Sequence, residues 1–189
     1  MMRTNTGRMP LMVCSTHSSG LPKLVATALA TFVLLASLYS VAADSAPQVV
    51  LNTSKAGPRS VEAQTESVIL RDYKFAWASL EQALESNSTA PVNGLFAGTA
   101  NAWFTSAVTG QRSTGLSSRY LNQNHKVEAV FYAPEGDMIE LHDTANYDLQ
   151  ILDGGKSIHE EHVVVHYVVL MTPGADRWVV RQLQAVPQF

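Results

Sequence analysis

Cysteine is almost absent from this chain, which has a single one, Cys14, among its 189 residues. One cysteine excludes an intramolecular disulfide framework and a cysteine-rich zinc site. Cys14 does not fit a lipoprotein signal either, because a lipidated cysteine follows an apolar run and a small residue. Here Cys14 precedes the apolar run and follows Val13.

Charged residues are also scarce, at 15% of the chain, and the formal net charge is −3. A nucleic-acid-binding domain carries a basic patch, so this balance argues against that class of protein. The sequence contains no phosphate-binding glycine loop, no dinucleotide fingerprint and no serine-hydrolase motif. No cofactor is therefore predicted.

The charge is divided unevenly along the chain. Residues 1–43 hold three basic side chains and no acidic one, whereas residues 44–189 hold ten basic and sixteen acidic side chains. The two parts therefore carry formal charges of +3 and −6. This contrast predicts a short basic tail, residues 1–23, and an acidic domain in different surroundings.

The segment 24–43 has no charged residue, and as a helix it would span about 30 Å, the hydrocarbon thickness of a bilayer. Because basic residues stay on the cytoplasmic side, we expect the tail 1–23 in the cytoplasm and the domain outside it, periplasmic or at the cell surface. The alternative is a signal peptide cleaved after Ala43, which would make the protein secreted. The length of the run favours a retained single-pass anchor, because signal peptides have apolar runs of roughly 7–15 residues.

Two helices are predicted after a linker. Residues 44–59 are rich in Ser, Ala, Pro and Asn, which indicates a flexible linker. Apolar residues at helical spacing predict a helix over 60–86, capped by Ser60, and a shorter helix over 92–108. A polar loop is expected over 109–118.

The rest of the chain alternates apolar and polar residues with a period of two, the pattern of a half-buried strand. Short turn-forming clusters join the predicted strands, which favours an antiparallel meander. The predicted strands are 126–133, 138–151, 157–171 and 177–186. The third is long, so we expect it to bend or bulge.

The predicted fold class is α+β, with the two N-terminal helices packed on the inner face of a curved four-stranded antiparallel sheet. This packing is expected to bury Trp77, Phe96 and Trp103. One transmembrane helix, residues 24–43, precedes the domain, which is expected to span 60–189.

The order of these elements, ending in Arg177-Trp178-Val179-Val180-Arg181-Gln182-Leu183, resembles the nuclear transport factor 2-like, or cystatin-like cone, superfamily over about residues 60–189. With the apolar run, the chain is similar to envelope members of that group. These are the intermembrane-space-type domain of plastid and cyanobacterial division proteins, the Mce-associated membrane proteins, and the type IV secretion scaffold, whose Asn-Pro-x-Gly turn is missing here. The resemblance implies a domain that works by protein contact, although the superfamily also includes isomerases and cyclases.

Histidines are concentrated on the third predicted strand, as His159, His162 and His166, with His142 on the strand before it. Residues four apart on a strand stand about 13 Å apart, too far to bind one metal ion, so no metal site is predicted. His142, His162 and His166 are instead candidate partner-binding residues on a polar sheet face. Protonation near pH 6 would change the charge of that face.

Asp143 interrupts an otherwise apolar strand face, and Tyr147 follows on the same face. The resemblance implies that an acid inside the cone acts as a general base, which makes Asp143, Tyr147 and His159 the candidate catalytic residues. Glu161 and Tyr167 share a strand face with His159 and complete this candidate set. The alternative is a purely structural carboxylate paired with another polar group.

Arg112 and Arg119 flank the predicted polar loop. They are candidates for binding an acidic ligand or partner at the mouth of the cone. The alternative is that both are solvated loop residues.

We therefore expect a membrane-anchored extracytoplasmic scaffold domain that binds a protein partner or itself and does not catalyse a reaction. The alternative is a secreted or anchored cavity protein that binds a small hydrophobic ligand, as an isomerase- or cyclase-type enzyme using Asp143. A pocket that reaches Asp143 would favour the enzyme. A core filled by Trp77, Phe96, Trp103 and Tyr147 would favour the scaffold.

Overall fold

The computed structural model describes residues 46–189, which form two α-helices, a short 3-10 turn and six strands. The helices are α1 (Ala63–Glu85) and α2 (Gly98–Thr114), and the 3-10 turn is Ala90–Val92. The strands are β1 (Gln48–Asn52), β2 (Gly57–Pro58), β3 (Leu116–Tyr132), β4 (Ile139–Asp153), β5 (Lys156–Pro173) and β6 (Trp178–Val186).

The predicted basic tail, the apolar run 24–43 and the cleavage site after Ala43 lie outside the described residues. Over residues 46–189 no helix is long and apolar enough to cross a membrane. The transmembrane helix of the predicted fold class is therefore not part of the observed fold.

The strands form one six-stranded mixed sheet in the order β1-β3-β4-β5-β6, and β2 also pairs with β3. The last four strands are an antiparallel meander, whereas β1 and β2 run parallel to β3. The prediction of a four-stranded antiparallel cone was wrong. The additional strands come from the segment predicted to be a linker.

β1 forms because three consecutive aliphatic residues, Val49 to Leu51, are preceded and followed by polar ones. Val49 pairs with His125 and is buried in the core, while Leu51 pairs with Val127 and packs on the edge of the core. The surrounding Ser, Pro and Asn residues give this segment the average composition of a linker, which hides a strand only five residues long.

α1 buries one stripe of side chains at helical spacing, as its sequence predicts. The buried residues are Ile69, Asp72, Tyr73, Ala76, Trp77, Ser79, Leu80, Ala83 and Leu84. The helix begins one turn later than predicted, at Ala63, and Ser60 does not cap it. Asn87, with a φ of 51°, ends the helical segment.

α2 lies six residues further along the chain than predicted, because the residues before it pair with β6. The amide of Ala97 donates to the carbonyl of Val180 at 2.9 Å, and the amide of Val180 donates to the carbonyl of Leu95 at 3.0 Å. Gly98 follows with a φ of +57° and starts the helix against the backbone of Arg181. The predicted loop 109–118 is mostly the last part of α2, which ends at Gly115.

The long strands carry irregularities, as predicted for the third one. The β4–β5 register shifts next to Leu152, and the β3–β4 register shifts between Leu121 and Asn124, where Asn122 has a φ of 55°. β5 is twice as long as β6, at 18 and 9 residues, and the two pair only over His166–Pro173 of β5. Residues 156–165 of β5 therefore extend beyond β6.

The helices cover one sheet face. Trp77, Phe96 and Tyr147 are buried as expected, but Trp103 is 47% exposed, which corrects the prediction that it belongs to the core. Asp72 connects α1 to the sheet, because its buried carboxylate accepts the backbone amide of Trp178 at 2.7 Å. A buried amide needs such an acceptor, since leaving it unpaired costs about 1–3 kcal/mol.

Candidate functional site

The most polar part of the core is a three-residue cluster around Asp143, which is 0% exposed. The hydroxyl of Tyr73 donates to Oδ2 of Asp143 at 2.6 Å, and Nδ1 of His125 lies 2.8 Å from the same oxygen. Tyr73 comes from α1, His125 from β3 and Asp143 from β4. A buried carboxyl group needs such partners because its desolvation is costly.

Aromatic rings enclose this cluster. The ring of Trp77 lies over His125, with centroids 4.4 Å apart, and Tyr73 meets His125 edge to face at 6.2 Å. Oδ1 of Asp143 and Nε2 of His125 have no hydrogen-bond partner among residues 46–189. His125 and Asp143 are both 0% exposed, so within residues 46–189 neither group is in contact with solvent.

A chain of tyrosines leads from this cluster towards the surface. Tyr167 pairs with Asp143 across β4 and β5 and lies 5.5 Å from Trp77 between ring centroids. The hydroxyl groups of Tyr167 and Tyr147 are 3.4 Å apart, and Tyr147 stacks on Tyr120 with centroids 4.5 Å apart. Tyr167 and Tyr147 thus extend the buried polar region along the sheet.

The tyrosines of this region keep their protons more strongly than exposed ones. Burial raises the pKa of Tyr73, with the charge of Asp143 adding to it, and burial is also the main cause that raises the pKa of Tyr167. The pKa values of Tyr120 and Tyr147 are raised for the same reason. The phenolate form is disfavoured because its charge would be desolvated.

Tyr167 also forms the floor of an open groove of about 530 Å³ between α2 and the end of β6. We call this the Trp103 groove. Its lining contains no charged side chain and consists of Thr99, Trp103, Tyr167, Gln182, Leu183, Gln184 and Ala185. A half-exposed tryptophan in a neutral groove is typical of a surface that binds an apolar side chain.

The structure brings together only part of the predicted catalytic set. Asp143, Tyr147 and Tyr167 lie side by side, but His159 pairs with Ile151 and Glu161 with Leu149. His159 is eight positions from Tyr167 on the same strand, about 26 Å away. The prediction that His159 and Glu161 join Asp143 was wrong, because strand length separates residues that share a face.

The two candidate arginines hold the helices together. Nε of Arg112 donates to the backbone carbonyl of Asn87 at 2.6 Å, which ties α2 to the end of α1. Arg119 on β3 forms an ion pair with Glu85 at the end of α1. Both guanidinium groups have structural partners and neither lines the Trp103 groove.

The candidate histidines lie apart from the buried cluster. His162 is 2.8 Å from Asp148, and His166 is 3.1 Å from the hydroxyl of Thr144. His142 stacks on Phe189 with centroids 4.2 Å apart. Within residues 46–189 no group of three His, Cys, Asp or Glu side chains is placed to hold a metal ion.

Three important residues are not identified by sequence reasoning. His125 lies just before the predicted strand 126–133, but its spacing from Val127 places it on the same inward face. Tyr73 has the helical spacing of an ordinary core residue of α1, which gives no sign of its hydrogen bond to Asp143. Trp103 was assigned to the core, because an aromatic residue in a helix is usually buried. Asp143 is a charged residue on an otherwise apolar strand face, and this pattern did identify the centre of the cluster.

No protein-family model matches this sequence, and no curated protein matches it. Its structure is similar to the intermembrane space region of the chloroplast protein ARC6, with a TM-score of 0.52 and 12% sequence identity. The match covers 68% of this chain and 98% of that chain. At this identity the similarity concerns the fold, and it supports the predicted resemblance to an intermembrane-space-type domain. Membership of the wider nuclear transport factor 2-like superfamily is not confirmed.

Removing the Tyr73 hydroxyl should destabilise the protein. In Tyr73→Phe the carboxyl group of Asp143 loses one of its two partners while it remains buried, so the free energy of unfolding should fall by about 1–3 kcal/mol. Urea denaturation at pH 7 measures this change. The matched control is Tyr132→Phe, a buried tyrosine without a hydrogen bond from its hydroxyl within residues 46–189, which should change the value by less than about 0.5 kcal/mol. Equal losses in the two variants would contradict the proposed role of the cluster.

Stability should fall at alkaline pH. The folded-state pKa of Tyr167 is raised above its unfolded value of about 10, so the unfolded state loses the proton first. The free energy of unfolding is therefore unaffected by this group below pH 10 and decreases as the pH rises further. In Tyr167→Phe the decrease between pH 10 and 11 should be smaller by up to about 1.4 kcal/mol. Urea denaturation from pH 8 to 11 tests this, and parallel curves for the two proteins would disprove it.

Proposed function

We propose that this chain carries a non-catalytic protein-binding domain of a cell envelope and that the Trp103 groove is its main contact surface. The observation that carries the proposal is the contrast between Trp103, 47% exposed in an open neutral groove, and Asp143, completely buried. The surface therefore offers binding area, whereas the reactive groups are enclosed.

The groove suits an extended polypeptide that carries an apolar side chain. Trp103, Tyr167 and Leu183 supply apolar surface, and the amide groups of Gln182 and Gln184 supply hydrogen bonds. The groove runs along β6, which is the last strand in the sheet order. A partner segment that lies beside this strand can combine backbone hydrogen bonds with a buried anchor residue.

The alternative function, a ligand-binding enzyme that uses Asp143, has less support. A general base must come within hydrogen-bond reach of the proton that it removes. Asp143 is buried beneath Trp77 and Tyr167 and already shares its Oδ2 with Tyr73 and His125. The groove is lined by Tyr167 and not by Asp143, so a ligand bound there does not contact the carboxyl group.

We extend the proposal to the location of the domain. The basic tail 1–23 and the uncharged run 24–43 are the pattern that directs a following domain across a membrane. The similarity to an intermembrane space region agrees with an envelope setting. In this proposal residues 46–189 face the extracytoplasmic side.

Truncation of the exposed tryptophan should strongly weaken partner binding without affecting folding. Trp103→Ala removes the largest apolar contact of the groove, and losing a tryptophan anchor typically weakens a complex at least about 30-fold. The partner is first identified by crosslinking and mass spectrometry of the full chain in its native membrane. Binding of that partner to each variant is then measured by titration.

The matched control is Phe75→Ala, which removes an aromatic side chain of similar exposure, 50%, from a surface next to Arg177. It should leave the affinity within about twofold of the original, because most surface substitutions are nearly neutral. Equal weakening by the two substitutions, or no weakening by Trp103→Ala, would refute the groove as the binding surface.

The location is tested with the single native cysteine and one introduced cysteine. In intact membranes that contain the full chain, an impermeant thiol reagent should label Lys156→Cys, which is exposed on the domain. Cys14 should react only after permeabilisation, or be missing from the mature protein if cleavage follows Ala43. Labelling of Lys156→Cys only after permeabilisation would place the domain on the cytoplasmic side and refute this location.

A further inference from the structure

The edge of β6 that faces away from β5 is covered over only part of its length. At Val180 both backbone groups are used, because its amide donates to the carbonyl of Leu95 at 3.0 Å and its carbonyl accepts from the amide of Ala97 at 2.9 Å. This short segment runs parallel to β6, with Phe96 opposite Val180. The chain then turns at Gly98 into α2 and leaves the edge.

A β-bulge decides which later residues of β6 point to the same edge. Backbone groups alternate between the two edges of a strand, so in a regular strand Gln182 and Gln184 would share the direction of Val180. The β5–β6 register shifts by one residue of β6 between Val180 and Gln182, and this extra residue shifts the alternation as well. The groups that face away from β5 are therefore those of Leu183 and Ala185.

Side-chain directions agree with this assignment. Val180 is buried in the core and Leu183 packs against the core although the two are three residues apart, which only a bulge allows within a strand. Among the described residues no segment pairs with this edge beyond Arg181, whose carbonyl accepts the hydroxyl of Thr99 at 3.3 Å. We call the outward-facing amide and carbonyl groups of Leu183 and Ala185 the open β6 edge.

We propose, on the basis of the proposed function, that the partner in the Trp103 groove binds as an extended strand on the open β6 edge and carries apolar side chains at two alternate positions. Two amides and two carbonyls at strand spacing are complementary to a polypeptide backbone. The segment before Gly98 already pairs with the same edge in this way. A partner strand would therefore continue a pairing that the chain itself begins.

The groove determines the side-chain pattern of the partner. Residues directly opposite each other on neighbouring strands project to the same sheet face, whether the strands are parallel or antiparallel. Leu183 and Ala185 line the groove together with Trp103, so the partner residues opposite them point into it. The partner residue between these two lies opposite the exposed Gln184 and is expected to be polar. Because no charged side chain lines the groove, the expected pattern is apolar-polar-apolar without a charge.

The edge is tested first, by amide hydrogen exchange of the full chain read residue by residue with NMR. The amides of Leu183 and Ala185 should exchange at least about tenfold faster than those of Gln182 and Gln184, which face β5. Equal protection of the four amides would show that the edge is covered and would overturn the proposal.

The second test uses an uncharged probe peptide with the expected pattern, acetyl-Gln-Ile-Thr-Ile-Gln-amide. It should bind the full chain with a dissociation constant of about 1 mM or below and slow the exchange of the Leu183 and Ala185 amides. Two analogues are N-methylated on alternate amides, one on both Ile residues and the other on Thr and the last Gln. Only one of these sets faces β6, so one analogue should bind at least about tenfold more weakly and the other within about threefold of the parent. No binding of the parent at about 5 mM, or equal binding of the two analogues, would overturn the proposal.

The third test removes one amide of the edge. Ala185→Pro is compatible with an edge strand and should weaken the peptide about fivefold, since one backbone hydrogen bond is lost. The control Ala175→Pro, exposed in the turn before β6, should leave the affinity within about twofold. Equal effects of the two substitutions would overturn the strand pairing. Partner binding that depends on Trp103, without binding of the peptide, would refute the paired strand and leave the proposed function standing.

Discussion

The contact on which this domain depends is a single carboxylate oxygen. Oδ2 of Asp143 meets the hydroxyl of Tyr73 and the imidazole of His125, so one atom joins α1, β3 and β4. Apolar packing tolerates small sliding of a helix over a sheet, but two hydrogen bonds to one buried oxygen do not. The position of α1 on the sheet follows from this cluster and from Asp72, which binds the first backbone amide of β6.

Because the polar cluster is buried in the core, the surfaces available for binding lie at the edge of the domain. Two exposed surfaces lie along β6 and beyond its end. Where β6 borders α2, its backbone and Trp103 leave an open neutral groove. Where β6 ends, opposite His166, β5 continues without a neighbour on that side among the described strands. The unequal lengths of β5 and β6 therefore leave the first part of β5 exposed at the edge of the described sheet.

Sequence patterns predict the parts of this structure that depend on local periodicity. The buried stripe of α1 and the alternation of β4, including the unusual charge of Asp143, can be read directly from residue spacing. The start of α2 cannot, because Leu95 and Ala97 make hydrogen bonds with Val180, which is more than eighty residues away. β1 is missed for a related reason, since its pairing with β3 outweighs a composition that indicates a linker. The groove is missed because the spacing of Trp103 within α2 does not show that β6 leaves one side of the helix uncovered.

The parallel pairing of β1 with β3 has a consequence for the time course of folding. Gln48 pairs with Asn124, so both helices are synthesised between the two strands. Because synthesis starts at the amino terminus, β1 emerges before the other strands that the structure describes and has no partner until β3 follows. Pairs this distant in sequence pay a larger loop-closure cost and form late. The antiparallel meander β3 to β6 can assemble through local turns, so β1, although synthesised before these strands, would be among the last of the described strands to join the sheet.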